Sequence, residues 1–119
     1  MTHAELLAAI QIAFSRDDCR LLRANVGRGW TGKILSQTHD RIVLSPYRPF
    51  RGMQEGVLDL IGFSGATFVA IDVKVGRDRI RAQQQVFIDT VTAAGGRAGA
   101  ARTLEEARNI ILPYGPQEG

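Results

Sequence analysis

The chain has 119 residues, of which 45% are hydrophobic and 23% charged, as in an ordinary globular domain. One cysteine and two histidines exclude an intramolecular disulfide and argue against a structural zinc site. No apolar run approaches the roughly 18–20 residues that span a bilayer, and the start of the chain lacks the pattern of a secretion signal. We therefore expect a single cytoplasmic domain over residues 1–119 that does not bind membranes.

Basic residues concentrate in two stretches of the chain. Residues 19–52 carry seven basic side chains against one acid, Asp40, for a net charge of +6, although the whole chain is only +3. Residues 75–102 carry five arginines against two aspartates, for a net charge of +3. Charge collected in this way suits a phosphate-rich partner such as nucleic acid, although a solvated surface explains it equally well.

Hydrophobic periodicity, capping residues and turn residues predict the elements in chain order. Thr2 and Thr103 each precede a glutamate by three residues, which is the spacing of a capping box at a helix start. The first predicted elements are a helix over residues 3–15, a strand over 20–26 and a glycine-rich loop over 27–32. A strand over 41–44 that ends before Pro46 and a loop over 47–55 follow, and then strands over 57–63 and 67–75 joined by a hairpin-length connection. The last predicted elements are a helix over 80–94, a strand over 97–101, and a helix that begins at Thr103 and ends before Pro113. This order indicates an α/β fold with a central mixed β-sheet flanked by helices.

The predicted strand over residues 67–75 combines an apolar face with two charges. Its odd-numbered residues are all apolar and belong in the core, because side chains alternate across a strand. Its even-numbered face starts apolar and then presents Asp72 and Lys74, which point the same way. In the preceding strand, Asp59 lies among apolar residues, where a carboxylate needs compensation for its lost hydration.

If the two strands pair as a hairpin, Asp59 and Asp72 approach each other near one end. Close carboxylates repel, and a divalent cation relieves the repulsion. Oxygen ligands with few histidines favour Mg²⁺, or Mn²⁺ in its place, over Zn²⁺. Lys74 would then lie beside the metal, where it can position or deprotonate an attacking water. The alternative is structural, with Lys74 only pairing with one of the acids at the end of a sheet.

Four segments together resemble the VRR-NUC family of the PD-(D/E)xK nuclease superfamily, in particular its small stand-alone members from phages and bacteria. They are LLRANVGRGWTG (residues 21–32), GVLDLIG (56–62), AIDVKVGRDRIRAQQQVFIDTVTAAGG (70–96) and GRAGAARTLEEA (96–107). The resemblance covers roughly residues 5–107 and implies a restriction-endonuclease-like core.

The resemblance also implies a role for each matching position. Asp59 and Asp72 would be metal ligands together with the Val73 carbonyl, and Lys74 would orient the nucleophile. Gln84 would be the family's glutamine three residues before an aromatic, a catalytic residue that helps to place Lys74 or the water. Glu5 would be its N-terminal helix acid, a catalytic residue at the metal site. The chain departs from the family pattern in having aspartate at position 72, where glutamate is common, and Leu58 in place of a proline.

Some of these positions have a second explanation in the sequence. Glu5 is equally well explained as the capping-box partner of Thr2, and Gln83 and Gln85 leave the register of Gln84 open. Trp30 could belong to a core or stack on a nucleotide base.

The expected function is that of a Mg²⁺-dependent DNA endonuclease. The resemblance further implies a homodimer that acts on branched DNA such as four-way (Holliday) junctions. One rival is a non-catalytic nucleic-acid-binding module on the same fold, against which the intact Asp59, Asp72 and Lys74 argue. A generic α/β protein for small molecules is a third possibility, which the basic excess disfavours.

Overall fold

The computed structural model describes residues 1–24, 28–52 and 56–112. In this part of the chain, three helices and six strands follow one another. They are α1 (His3–Ala13), β1 (Cys19–Arg23), β2 (Arg28–Thr38), β3 (Arg41–Arg51), β4 (Leu60–Ser64), β5 (Thr67–Val73), α2 (Ala82–Ala93), β6 (Arg97–Ala101) and α3 (Leu104–Ile111).

The chain forms two compact units. The first consists of Met1–Ala24 and Glu55–Gly119, and the second of Asn25–Gln54. The first unit holds a four-stranded sheet and the second a two-stranded one. That residues 1–119 act as one domain stays a prediction.

The sheet of the first unit has the strand order β1-β4-β5-β6. Strand β4 pairs antiparallel with both β1 and β5, while β5 and β6 pair parallel through the crossover helix α2. The predicted central mixed sheet with flanking helices is therefore confirmed.

From Val69 to Val73, both faces of β5 are buried, but against different helices. Val69, Ile71 and Val73 pack in one apolar cluster with Leu6, Leu7 and Ile10 of α1 and Ala107 and Ile111 of α3. On the opposite face, Ala70 packs with Leu58 and with Ile88 of α2. Burying an aliphatic side chain of this size stabilises the fold by about 1.5–3 kcal/mol. Helix α2 therefore covers the face on which Asp72 and Lys74 follow Ala70.

The helix predictions hold to within a few residues. Thr103 Oγ1 accepts a hydrogen bond from the Glu106 N–H at 3.1 Å, as a helix cap should. The return bond goes from the Arg102 N–H to Glu106 Oε1 at 2.6 Å, so the reciprocal half of the second capping box is shifted by one residue. No helix of the described residues is both long and apolar enough to cross a membrane.

The second unit corrects two predictions. Residues 28–32 were predicted as a loop and instead open β2, and β3 continues through Pro46 and the predicted loop as far as Arg51. Residues 25–26 of the predicted strand over 20–26, residue 27 of the first predicted loop and residues 53–55 of the second lie outside the described residues.

Two local features explain the longer strands. Pro46 falls where the register of β2 and β3 shifts between Gly32 and Ile34, so its missing N–H breaks no regular pair. Gly32 serves close strand approach rather than a turn, since a Cβ there would collide with the carbonyl oxygen of Pro46.

Candidate active site

The pairing of β4 with β5 brings the two predicted acids together. The antiparallel register joins Leu60 to Ile71, which places Asp59 opposite Asp72 at the end of the hairpin. Asp59 Oδ2 also accepts a hydrogen bond from the Val73 N–H at 2.8 Å, which holds this carboxylate against β5. The predicted strand pairing is confirmed, and both acids line one pocket.

Asp72 is the most deeply buried acid of this pocket, with 1% of its surface exposed. Its Oδ1 accepts a hydrogen bond from Gln84 Nε2 at 3.2 Å. Its Oδ2 lies 2.7 Å from Lys74 Nζ in an ion pair, and no other described residue donates a hydrogen bond to this oxygen.

Burial raises the pKa of Asp72 above its ordinary value. The Lys74 ammonium opposes this shift, and the neighbouring Asp59 carboxylate adds to it. The ionised Asp72 is therefore not fully compensated by Lys74, and a further positive charge would stabilise it.

Gln84 connects the charged residues to helix α2. Lys74 is only 8% exposed, and its Nζ donates to Gln84 Oε1 at 3.2 Å. The same Oε1 accepts from the backbone N–H of Arg81 at 3.0 Å, just before α2 begins. With its amide nitrogen on Asp72, one side chain thus orients both members of the ion pair.

The register of the three consecutive glutamines is resolved by their contacts. Gln85 Nε2 donates to Asp89 Oδ1 at 2.9 Å on the exposed side of α2. Gln83 lies beside Gly56, whose backbone φ is +96°. Gln84 is therefore the glutamine that reaches the acids, as the resemblance implies.

His3 is a pocket residue that sequence reasoning missed. Its Nε2 lies 3.1 Å from Asp59 Oδ2, the oxygen that also receives the Val73 N–H. The contact spans 56 positions, so no local pattern announces it. The available signal was that the resemblance already placed the first helix near the site through Glu5.

Glu5 lies in the capping box that its spacing predicted. Its Oε1 accepts from the Thr2 N–H at 2.8 Å, and Thr2 Oγ1 accepts from the Glu5 N–H at 3.1 Å. These hydrogen bonds lower the pKa of Glu5. Among the described residues, the pocket wall includes His3 but not Glu5. A catalytic role for Glu5 stays a prediction without a contact to support it.

The pocket has a volume of about 260 Å³, and we call it the Asp72 pocket. Its lining comprises His3, Asp59, Asp72, Val73, Lys74, Asp78, Arg79, Arg81 and Gln84. Asp78, Arg79 and Arg81 belong to the segment between β5 and α2, so they form a largely cationic rim beside the acids.

Arg102 ties this rim segment to the end of β6. Its Nη1 donates to the Gly76 carbonyl at 2.9 Å, and its Nη2 donates to the carbonyl of Asp78. Gly76 has a φ of +59°, a conformation that residues with a Cβ rarely adopt. The chain is therefore held in a defined bend where it leaves β5.

The donors of the Asp72 pocket fit a divalent cation of the Mg²⁺ type. Among the described residues, no group of three or more His, Cys, Asp or Glu side chains is placed to hold a metal ion. Mg²⁺ is commonly held by only one or two carboxylates, with water and substrate phosphate completing its ligands. Asp59 and Asp72 supply two carboxylates, and among the described residues the buried Asp72 Oδ2 has the Lys74 ammonium as its one ion-pair partner.

The chain matches no protein-family model, and no curated protein matches it. The interpretation of the Asp72 pocket therefore depends on its geometry and on the resemblance of its motifs.

Proposed function

We propose that this protein is a Mg²⁺-dependent DNA endonuclease of the VRR-NUC type, built on a restriction-endonuclease-like core. The observation that carries the proposal is one pocket that holds Asp59 beside the mutually bonded Asp72, Lys74 and Gln84, with arginines on its rim. Two converging carboxylates suit a cation, and the cationic rim suits the phosphate backbone of the substrate.

In this proposal, Asp59, Asp72 and the Val73 carbonyl hold the cation. When bound, Mg²⁺, or Mn²⁺ in its place, polarises the scissile phosphate and lowers the pKa of a coordinated water. Hydrolysis forms a bond from the water oxygen to phosphorus and breaks the bond to the leaving oxygen.

Lys74 supplies a fixed donor and positive charge for this reaction. Its Nζ is held between Asp72 and Gln84, so the ammonium is oriented before substrate arrives. It would orient the attacking water and offset the charge that develops on the phosphate oxygens. Preorganised donors of this kind cost no rearrangement during the reaction.

The rival function, a binding module without catalysis, is disfavoured by the state of Asp72. A pure binder gains nothing from an acid whose pKa is raised by burial and by a second carboxylate. The arginines of the rim alone would serve binding, and they do not require Asp59 or Asp72. A protein for small molecules would likewise not need the cationic rim.

The deciding experiment is a cleavage assay on linear and branched DNA with Mg²⁺, with EDTA, and with a Lys74→Ala variant. We expect cleavage only with the cation, and a loss of about 10²–10³-fold in Lys74→Ala, the size of effect seen when one preorganised donor is removed. A matched control is Arg108→Ala, which removes an exposed cation of α3 that does not line the Asp72 pocket. Cleavage that persists in EDTA or in Lys74→Ala would refute the proposal.

We extend the proposal to a homodimer that prefers branched DNA, with four-way junctions as the leading substrate. Resolving a junction needs two symmetric cuts, and a two-fold dimer supplies two sites and doubles the cationic surface. Light scattering at micromolar concentration, with competition between a junction and a linear duplex of equal length, tests this extension. A monomer that cuts both substrates equally would overturn it and leave the nuclease proposal standing.

A further inference from the structure

The β2–β3 hairpin exposes an aromatic pair. Gly32 pairs directly with Tyr47, and Trp30 lies two residues before Gly32, so both rings project from the same face. The ring centroids are 5.6 Å apart with an interplanar angle of 71°, an edge-to-face arrangement. Each residue is 63% exposed, although aromatic residues of this size usually gain stability from burial.

An open apolar pocket of about 570 Å³ extends from this pair along the hairpin. Besides Trp30 and Tyr47, its lining includes Ile34, Ile42 and Leu44, and we call these five residues the aromatic face. None of them belongs to either core cluster of the described residues. The aromatic face is therefore an apolar surface that packing within its own unit leaves uncovered.

Positive charge lies near the aromatic face, in a second pocket that shares Tyr47 with the first. This second pocket of about 430 Å³ is lined by Lys33, Arg48 and Pro46 as well as by Tyr47. Arg48 follows Tyr47 on β3, so its side chain leaves the strand on the opposite face of the hairpin. Over the whole second unit, five basic residues oppose Asp40, for a net charge of +4.

We infer that the aromatic face binds unpaired bases of a nucleic acid strand, with Lys33 and Arg48 binding the adjacent phosphates. Flat aromatic rings next to cations match the two chemical parts of a nucleotide, a base with a π-face and a charged phosphate. Bases inside a duplex are already stacked, so the occupant must present single-stranded or splayed nucleotides, as a single-stranded flap or an opened branch point does. The inference deepens the proposed function by naming the part of the substrate that this unit holds.

Charge decides against a second copy of the same chain as the occupant. Two copies that met through this face would bring two units of net charge +4 together, and the repulsion would oppose their association. A nucleic acid strand brings the complementary charge instead and releases counterions as it binds.

The test is a binding experiment without metal, so that it does not depend on cleavage. Trp30 is the only tryptophan, so its fluorescence reports on this face directly. Oligothymidylate of about twelve nucleotides, added in EDTA, should quench this fluorescence, and a duplex of equal length should not. An unchanged fluorescence at saturating oligothymidylate would overturn the inference.

Variants at Tyr47 separate stacking from general apolar contact. Tyr47→Leu keeps an apolar side chain but loses the ring, and should weaken oligothymidylate binding about tenfold while changing duplex binding less than about twofold. Tyr47→Phe should bind as the natural protein does. Phe63→Ala is the matched control, because it removes an exposed aromatic residue from the first unit. Equal losses in Tyr47→Leu and Phe63→Ala would contradict a specific role for the aromatic face.

Two further readouts close the remaining alternatives. Lys33→Ala and Arg48→Ala should each lower the salt dependence of binding, by a slope of about one in log Kd against log salt.

Light scattering without nucleic acid should give the same mass for Tyr47→Leu as for the natural protein, and a drop from dimer to monomer would instead assign this face to a second copy. If Lys74→Ala abolishes cleavage while this binding persists, the two proposals have been tested independently.

Discussion

The Asp72 pocket and the aromatic face distribute their side chains in opposite ways. In the pocket, the charged groups lie inside: Asp72 and Lys74 are almost fully buried and contact each other and Gln84. On the hairpin, the apolar groups lie outside, with Trp30 and Tyr47 more than half exposed. The pocket therefore holds its charged groups in a fixed orientation, as the proposed reaction requires, and the hairpin offers the exposed apolar surface that the proposed contact with bases requires.

This contrast predicts that the two regions fail in different ways. A change in the Asp72 pocket should reduce the rate of cleavage and spare affinity, because nucleic acid binding is spread over many basic residues. A change in the aromatic face should reduce affinity and leave the cleavage of bound DNA intact. Each experiment below either breaks this separation or defines it more sharply.

The largest effect is expected from Asp72→Asn. The variant keeps the shape of the side chain but removes the charge that faces Lys74 and the proposed cation. Cleavage should fall to background, a loss of about 10³-fold or more, while the Kd for DNA in EDTA stays within about threefold. Gel-based cleavage and fluorescence anisotropy measure the two quantities. A large loss of affinity for DNA with an unchanged cleavage rate at saturation would contradict the assignment of the Asp72 pocket to the reaction.

A smaller loss is expected from Gln84→Leu. Gln84 contacts Asp72 and Lys74 and is a positioning residue, so its loss should lower kcat by about 10–100-fold, as loss of outer partners at metal sites does. The pH profile of the rate should shift as well, because two ionisable groups lose a hydrogen-bond partner. Gln85→Leu is the control on the exposed side of α2 and should change neither. A variant with full activity and an unshifted pH profile would remove Gln84 from the site.

A third expectation concerns stability in metal-free protein. Burial raises the folded-state pKa of Asp72, so the folded protein keeps a proton that the unfolded chain has already released. This contribution to the free energy of unfolding is fully present below the unfolded pKa and is lost as the pH rises through the folded pKa. Urea denaturation in EDTA from about pH 4 upward measures it. The free energy of unfolding of the natural protein minus that of Asp72→Asn should fall as the pH rises. A difference that rises with pH would contradict the assigned direction.

The smallest effect is expected from Glu5→Gln. An amide at this position can still accept the hydrogen bond from the Thr2 N–H, so helix α1 stays capped and the cleavage rate should be unchanged within about twofold. Because the pKa of Glu5 is lowered, its charge stabilises the fold above the unfolded pKa, and this contribution is lost as the pH falls through the folded pKa. The variant should lack that acid sensitivity. A strong loss of activity would instead support the metal-site role implied by the resemblance.

Local patterns predicted the first unit well where one rule applied at a time. The alternation along residues 67–75 located Asp72 and Lys74 on one face, and the resemblance located Gln84. The contact of His3 with Asp59 could not be read in this way, since it joins positions 56 residues apart.

The strand predictions for the second unit were wrong because glycine and proline each occur in more than one structural setting. Glycine is common in turns, but Gly32 is needed where two strands approach closely. Proline commonly ends strands, but Pro46 lies in β3 at an irregular point of the pairing. Both settings depend on the pairing of β2 with β3, which the sequence around one residue does not show.

The guanidinium of Arg102 gives the Asp72 pocket a frame that lies outside the ion pair of Asp72 and Lys74. Its two bonds to the backbone carbonyls of Gly76 and Asp78 hold the bend after β5, and neither bond involves a carboxylate. Ionisation of Asp72 therefore changes the charge inside the pocket while the frame keeps its form. Where mild acidification reduces the cleavage activity, the activity should therefore return at once on neutralisation, without the delay that refolding would impose.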